Sequence, residues 1–301
     1  MHYYETKLLE AVKKNLEVVV MTAENRFSMR NIPSILGDKF IDVGIMEQNM
    51  VGIAAGLSAS GKIPIMHALA AFLTMRSFEF IRTDLGYPNL KSIIAGTFTG
   101  FISQGNGPTH QAIEDIGLMR IIPNVSVFAP SNIYEMCKIF EIIKDIPGPV
   151  YLRYLDDTEV NYGSENFKFG KNLQIKDGED VAILSYGTLL KNAVKASQIL
   201  ESKDINASVY NFRFLKPFDA ELLNFIFSKY KKIVVIEDHY ALGGLTSIIK
   251  EESFNNNAQI NLLEINLKNN FFKPALLNDV IDFEGFNPNQ IAEKIIKFLN
   301  N

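Results

Sequence analysis

Glu47 closes a strand-to-helix junction, Phe40-Ile41-Asp42-Val43-Gly44-Ile45-Met46-Glu47-Gln48-Asn49-Met50. A carboxyl group at that point belongs to the carboxyl edge of a sheet, where ligands of open α/β sheets gather. It suits proton handling on a bound molecule, and it equally suits an acid steadied by the first turn of a helix. The helix that follows, Val51 to Ser60, contains Gly52 and Gly56. Each glycine costs roughly 1 kcal/mol relative to alanine inside a helix, so close approach by another helix or by a partner subunit is expected there. Phe72, Met75 and Phe78 recur three apart on one helical face. Such a stripe packs a core or walls in a flat ring by stacking, and a polarizable Met fills irregular space in either case. His110 lies in the glycine- and proline-rich loop Gly105-Asn106-Gly107-Pro108-Thr109-His110-Gln111. It is a bystander there or a group that exchanges protons near neutrality. Arg153 ends the strand Tyr151-Leu152-Arg153-Tyr154; its planar fork suits a phosphate, and an ordinary salt bridge accounts for it as well.

The elements around these residues alternate. Strands are expected at Glu17–Met21, Phe40–Val43, Ile63–Met66, Lys91–Ala95, Val125–Phe128 and Val150–Arg153, with helices at Gln48–Ser60, Thr74–Asp84, Ala112–Ile121 and Ile133–Ile143. After a polar stretch with room for one strand pair, the alternation resumes with strands at Asp180–Ser185, Ala207–Phe212 and Lys232–Glu237. Helices are expected at Leu189–Glu201, Ala220–Ser228, Leu245–Ser253 and Asn289–Leu299. The fold class is therefore α/β, with two consecutive doubly wound domains spanning 1–160 and 179–301 and a linker at 161–178. The chain has 301 residues, 47% hydrophobic and 21% charged, with a formal net charge of −4, which disfavours nucleic acid as main partner. The single cysteine, Cys137, rules out an internal disulfide and fits a reducing compartment. The start, Met1 to Glu5, has no basic and apolar leader, and no apolar run is long enough to span a bilayer. A cytoplasmic protein without a membrane partner is expected.

Four blocks in order carry a resemblance. Asp42 to Met50 with its Gly/Ala helix, Phe72 to Glu79, Gly105 to Gln111, and Leu215-Lys216-Pro217-Phe218-Asp219 with Val235-Ile236-Glu237-Asp238-His239 through Gly243-Gly244-Leu245 resemble transketolases and 1-deoxyxylulose-5-phosphate synthases. The likeness covers nearly the whole chain and implies a thiamine-diphosphate pyrimidine-binding domain followed by a transketolase C-terminal domain. By that resemblance Glu47 hydrogen-bonds N1′ of the cofactor's aminopyrimidine and favours the imino tautomer that removes the C2 proton, a task suited to a carboxyl in apolar surroundings. Phe72, Met75, Phe78 and Ile45 join Glu47 as cofactor contacts. His110 is catalytic and touches the donor sugar, Asn106 contacts a substrate hydroxyl, and Arg153 holds a sugar phosphate. The activity implied is transfer of a two-carbon ketol unit between sugars or sugar phosphates.

Two departures bear on substrate. Transketolases carry Asp where Asn106 stands, and a histidine near Thr97-Phe98-Thr99. A larger one is the lack of a Gly-Asp-Gly motif with a following Asn, the usual Mg²⁺ and diphosphate site; Leu36-Gly37-Asp38-Lys39 is the nearest string. No metal ligand is therefore assigned here, and Mg²⁺ is expected on a separate N-terminal transketolase-like subunit in a two-plus-two heterotetramer. Condensation of pyruvate with an aldehyde, the β subunit of a 2-oxoacid dehydrogenase, and a non-catalytic subunit that kept the fold are the competing readings.

Overall fold

Strand β1 (Val18–Thr22) is buried along its whole length, as a central strand covered on both faces must be. In the computed structural model, which describes residues 1–157 and 159–300, β1 lies between β2 (Phe40–Asp42) and β3 (Ile63–Leu69), both parallel to it. The sheet continues through β4 (Ser92–Thr97), β6 (Pro149–Arg153) and β5 (Ser126–Phe128), all parallel. Alternation along β1 sorts the two faces. Val18 and Val20 pack with helices α1 (Tyr3–Lys14), α2 (Ile32–Leu36) and α6 (Ile133–Glu141), whereas Val19 and Met21 pack with α3 (Glu47–Ala59) and α5 (Asp115–Arg120).

The second sheet has the order β12 (Asn261–Ile265), β11 (Lys232–Ile236), β8 (Val181–Ser185), β9 (Ala207–Asn211) and β7 (Leu173–Lys176). Only its edge strand β7 is antiparallel. Helices α7 (Leu190–Glu201), α10 (Leu277–Phe283) and α11 (Pro288–Leu299) cover one face, and α8 (Ala220–Lys229) and α9 (Leu245–Asn255) the other. Local signals explain two starts: Asn132 caps α6, and Asn287 with Gln290 forms a capping box before α11, which has Pro288 in its first turn. Both domains are doubly wound α/β, as the alternating pattern implies.

Several features differ from the sequence expectation. The stretch expected as a linker with room for a strand pair holds the single strand β7, whose partner β9 lies beyond it. The strand β10 (Phe214–Lys216) leaves the second half of the chain and pairs antiparallel with β5 of the first sheet. The expected helix at Thr74–Asp84 is interrupted: Phe72–Arg76 and Ile81–Gly86 form wide π turns around the short α4 (Phe78–Phe80). The amide of Ser77 bonds to the carbonyl of Phe72, five residues back, so residues three apart no longer share one face. Thr158 and Asn301, which fall within the expected domains, lie outside the described residues.

The two domains share one apolar core, which runs from the α3 side of the first sheet to the α8 and α9 side of the second. Glycine permits the closest contacts at this seam. Gly100 has φ +54°, and a Cβ there would meet a carboxylate oxygen of Asp238 at 1.8 Å. Gly243 sits directly against the backbone of Gly117.

Candidate active site

The chain turns to opposite sides of β1 when it passes to β2 and then to β3, which opens a crevice at their carboxyl ends. A cavity of ≈ 300 Å³ occupies this crevice. Ala23, Glu24 and Asn25 line it after β1, Ile45 and Glu47 after β2, and Leu69 and Phe72 at the end of β3 and beyond. Asp42 ties the first two loops together by accepting the amides of Gly44 (3.0 Å) and Glu24 (3.2 Å) and the Arg26 guanidinium (2.9 Å). Burial raises the pKa of this carboxyl, but the bonds from Gly44, Arg26 and Glu24 outweigh it and hold the group below the usual range. Thr22 Oγ1 donates to the carbonyl of Asn25 (3.0 Å), and Asn25 Nδ2 donates to Thr97 Oγ1 (2.5 Å). The loops of three strands are thereby locked to one another.

Glu47 is the first residue of α3 and only 2% exposed. Its Oε2 accepts a bond from Arg76 Nη1 at 3.0 Å. Among the described residues, nothing donates to Oε1. The carboxylate is thus half satisfied, and it lines the cavity. The expected wholly apolar setting is not what surrounds it, because a guanidinium stands on one side. Arg76 also lies over the Phe72 ring, 4.3 Å from its centroid. On its other flank Phe72 meets the His110 ring edge-on at 5.1 Å, and His110 Nδ1 is 2.8 Å from Thr109 Oγ1. One aromatic wall, one free carboxylate oxygen and a slot of this size fit a flat nitrogen heterocycle better than an extended chain.

Of the residues singled out from the sequence, the fold brings Glu47, Ile45, Phe72 and His110 together. Met75 and Phe78 do not line the cavity: Met75 faces outward, and Phe78 packs against the core. The π turn is the reason, since it rotates both away from Phe72. Asn106 is exposed on the loop before His110. Arg153 calls for a correction. It is 4% exposed, and its guanidinium bonds to Asp115 (2.8 and 3.3 Å) and Asp238 (2.9 Å). Burial would lower its pKa, yet those carboxylates raise it well above the ordinary value. With three of its five N–H donors committed to two buried carboxylates, Arg153 joins the two domains inside the protein rather than facing the cavity beside Glu47.

Sequence reasoning missed Arg76, Glu24 and Asn25. Nothing local marks Arg76, whose partner is 29 positions away. A second cleft, ≈ 400 Å³, adjoins across the Asn25–Thr97 bond and is lined by Thr97, Phe98, Asp156, Asp157, Glu159 and Lys191. Among the described residues no group of three or more His, Cys, Asp or Glu could hold a metal ion. Also among the described residues, no helix is long and apolar enough to cross a membrane.

Comparison with known proteins bears on this geometry. Residues 2–156 match the family "Transketolase, pyrimidine binding domain", and residues 170–291 match "Transketolase, C-terminal domain". A protein of Methanocaldococcus jannaschii assigned as a transketolase C-terminal section is 33% identical over 98% of this chain and 94% of its own length. A 6-deoxy-6-sulfo-D-fructose transketolase subunit of Clostridium sp. (strain MSTE9) is 32% identical over 96% and 91%. The 1-deoxy-D-xylulose-5-phosphate synthase of Dictyoglomus turgidum is 34% identical over 88% of this chain, which spans only 43% of that enzyme. Among solved structures, a split-gene transketolase described as an inactive β4 tetramer superposes with a TM-score of 0.87 at 32% identity, covering 99% of this chain and 96% of the other.

Proposed function

This chain belongs to the transketolase family, as a split C-terminal subunit, and from that premise we propose that it binds the aminopyrimidine of thiamine diphosphate through Glu47 and transfers a two-carbon ketol unit between sugars or sugar phosphates. The observation that carries this reading is the half-satisfied Glu47 carboxylate, lining a cavity beside the Phe72 ring. When bound, thiamine diphosphate supplies the nucleophilic carbon that attacks a ketose carbonyl. Glu47 Oε1 would accept a bond from N1′ at the far end of the ring, while Phe72 and Ile45 wall the ring in and keep water off it. His110, against the outer edge of Phe72, would handle a proton on the donor sugar. Asn106 would reach a substrate hydroxyl from the same loop. Met75 and Phe78 stay outside that set, because the π turn carries them away from Phe72.

Catalysis on this reading needs a second chain. Ile45 and Met46, at the mouth beside Glu47, are 67% and 50% exposed. Gly52 and Gly56 have nothing within 4 Å of a built Cβ, so no contact within the chain offsets their cost in α3. A partner seated on α3 supplies one. We take that partner to be an N-terminal transketolase-like subunit that holds Mg²⁺ and the diphosphate in a two-plus-two heterotetramer. The expected division into 1–160 and 179–301, and a cytoplasmic location consistent with one buried cysteine, belong to the same proposal. Donor screening of the reconstituted complex is the test. Ketose or ketose-phosphate donors should pass a two-carbon unit to an aldehyde acceptor. Consumption of pyruvate instead would move the enzyme to the deoxyxylulose-phosphate type. Tight Mg²⁺-dependent binding of the cofactor by this chain alone would contradict the shared site.

A further inference from the structure

Arg76 is held from three directions at once. Gln48 Nε2 donates to its backbone carbonyl at 3.2 Å, the Phe72 ring lies beneath its guanidinium, and Glu47 Oε2 takes its Nη1. The wide turn closed between Ser77 and Phe72 places Arg76 in this position, and π turns of that kind recur where a side chain has to be aimed. Glu47 has almost no freedom left as a result. One oxygen is tethered, and the other is turned loose on the cavity side.

We propose that Arg76 is the positioning residue for Glu47: it pins one carboxylate oxygen and supplies the counter-charge, so that the second oxygen meets the ring nitrogen of the bound heterocycle. Arg76 itself touches neither substrate nor the reacting carbon. The inference rests on the reading of Glu47 given above. Stability is a separate reason for the pair, because the Glu47 carboxylate is buried although the guanidinium is almost half exposed, so the test reads the cofactor and not stability. A tethered oxygen matters more to a group that has to be held in a productive geometry, where small displacements are expensive.

The experiment uses the complex reconstituted with the diphosphate-binding subunit, and compares Arg76→Met, Arg76→Lys and Glu47→Gln. Arg76→Met should slow C2 proton exchange of bound thiamine diphosphate by about 30-fold, an effect of the size seen when a preorganised electrostatic contact is lost. It should also weaken the circular-dichroism band of the imino tautomer, while the cofactor Kd stays within about threefold, because uniform binding is not what the pair provides. Arg76→Lys, which keeps a charge but only one donor direction, should recover part of both signals. If Arg76→Met leaves exchange and the dichroism band within about twofold of the natural protein while Glu47→Gln destroys both, the positioning role is overturned and the reading of Glu47 stands. If Glu47→Gln also leaves both intact, the functional reading itself fails. Should Arg76→Met not fold, Arg76→Lys decides alone: unchanged exchange and band overturn the role.

Discussion

At the scale of single residues, two buried polar groups show how context fixes chemistry. His67, on β3, is fully buried; its Nδ1 faces the carbonyl of Met21 at 3.2 Å, and Nε2 is 2.6 Å from the Tyr4 hydroxyl. A carbonyl can only accept, so Nδ1 carries the proton and Nε2 takes a bond from Tyr4. Burial lowers the imidazole pKa to about 4. The unfolded chain binds this proton from about pH 6.5 downward, the folded one not until about 4, so the group's contribution is complete above 6.5 and is lost as pH falls through that window. The loss amounts to about 3 kcal/mol. Urea unfolding at stepped pH should show it, and His67→Gln should remove this slope; an unchanged slope in the variant contradicts the assignment. Glu47, by contrast, is placed by the sequence at its strand-to-helix junction, where the structure has it begin α3; its proposed role comes from the resemblance, since position alone suits a first-turn acid equally. Arg76 is not legible in the sequence, since its pairing depends on a turn geometry that no local residue pattern announces.

At the scale of elements, the ends of β6 and β11 meet through Arg153. Tyr151 donates to the same Asp115 (2.6 Å), Asp238 also receives the amide of Phe101 (3.3 Å), and Gly100 leaves the space that Asp238 fills. Replacing Arg153 by Met strands two buried carboxylates, which should cost about 3–5 kcal/mol. Chemical denaturation checks this; a loss below about 1 kcal/mol would show that the network relaxes without its cation. Much of the strand and helix order was readable, because parallel strands appear as continuous apolar runs and the helices between them keep a 3.6-residue period. Helices α1, α2 and α10 and strand β12 were not anticipated, and three further departures have identifiable physical reasons. β10 looks like a strand locally, but which sheet it joins is decided by distant packing on β5. β7, Leu173-Gln174-Ile175-Lys176, is only half buried in a polar stretch, so the sequence allows for a strand there without placing it. The stretch 72–86 keeps an α-like composition while its backbone widens into π turns. That widening separates Met75 and Phe78 from Phe72, although their spacing suggests one face.

At the scale of the whole molecule, the first domain offers an open crevice where its strand order reverses. The same crevice in the second domain is filled: Tyr186 lies under the Arg153 guanidinium, and the Glu237 carboxylate takes the amides of Leu245 and Thr246 at the start of α9. The second domain is joined to the first by a shared core, and the proposed chemistry lies at the exposed edge of α3 and the loops around Glu47. What completes that edge is a second chain, on the reading advanced above. The central claim is that the free oxygen of Glu47 governs proton loss from the cofactor's reacting carbon, and deuterium exchange at C2 of thiamine diphosphate in the reconstituted complex measures it directly. Glu47→Gln should lower the exchange rate by at least about 100-fold with the cofactor still bound and the protein still folded. A rate within about threefold of the natural protein's would contradict the account.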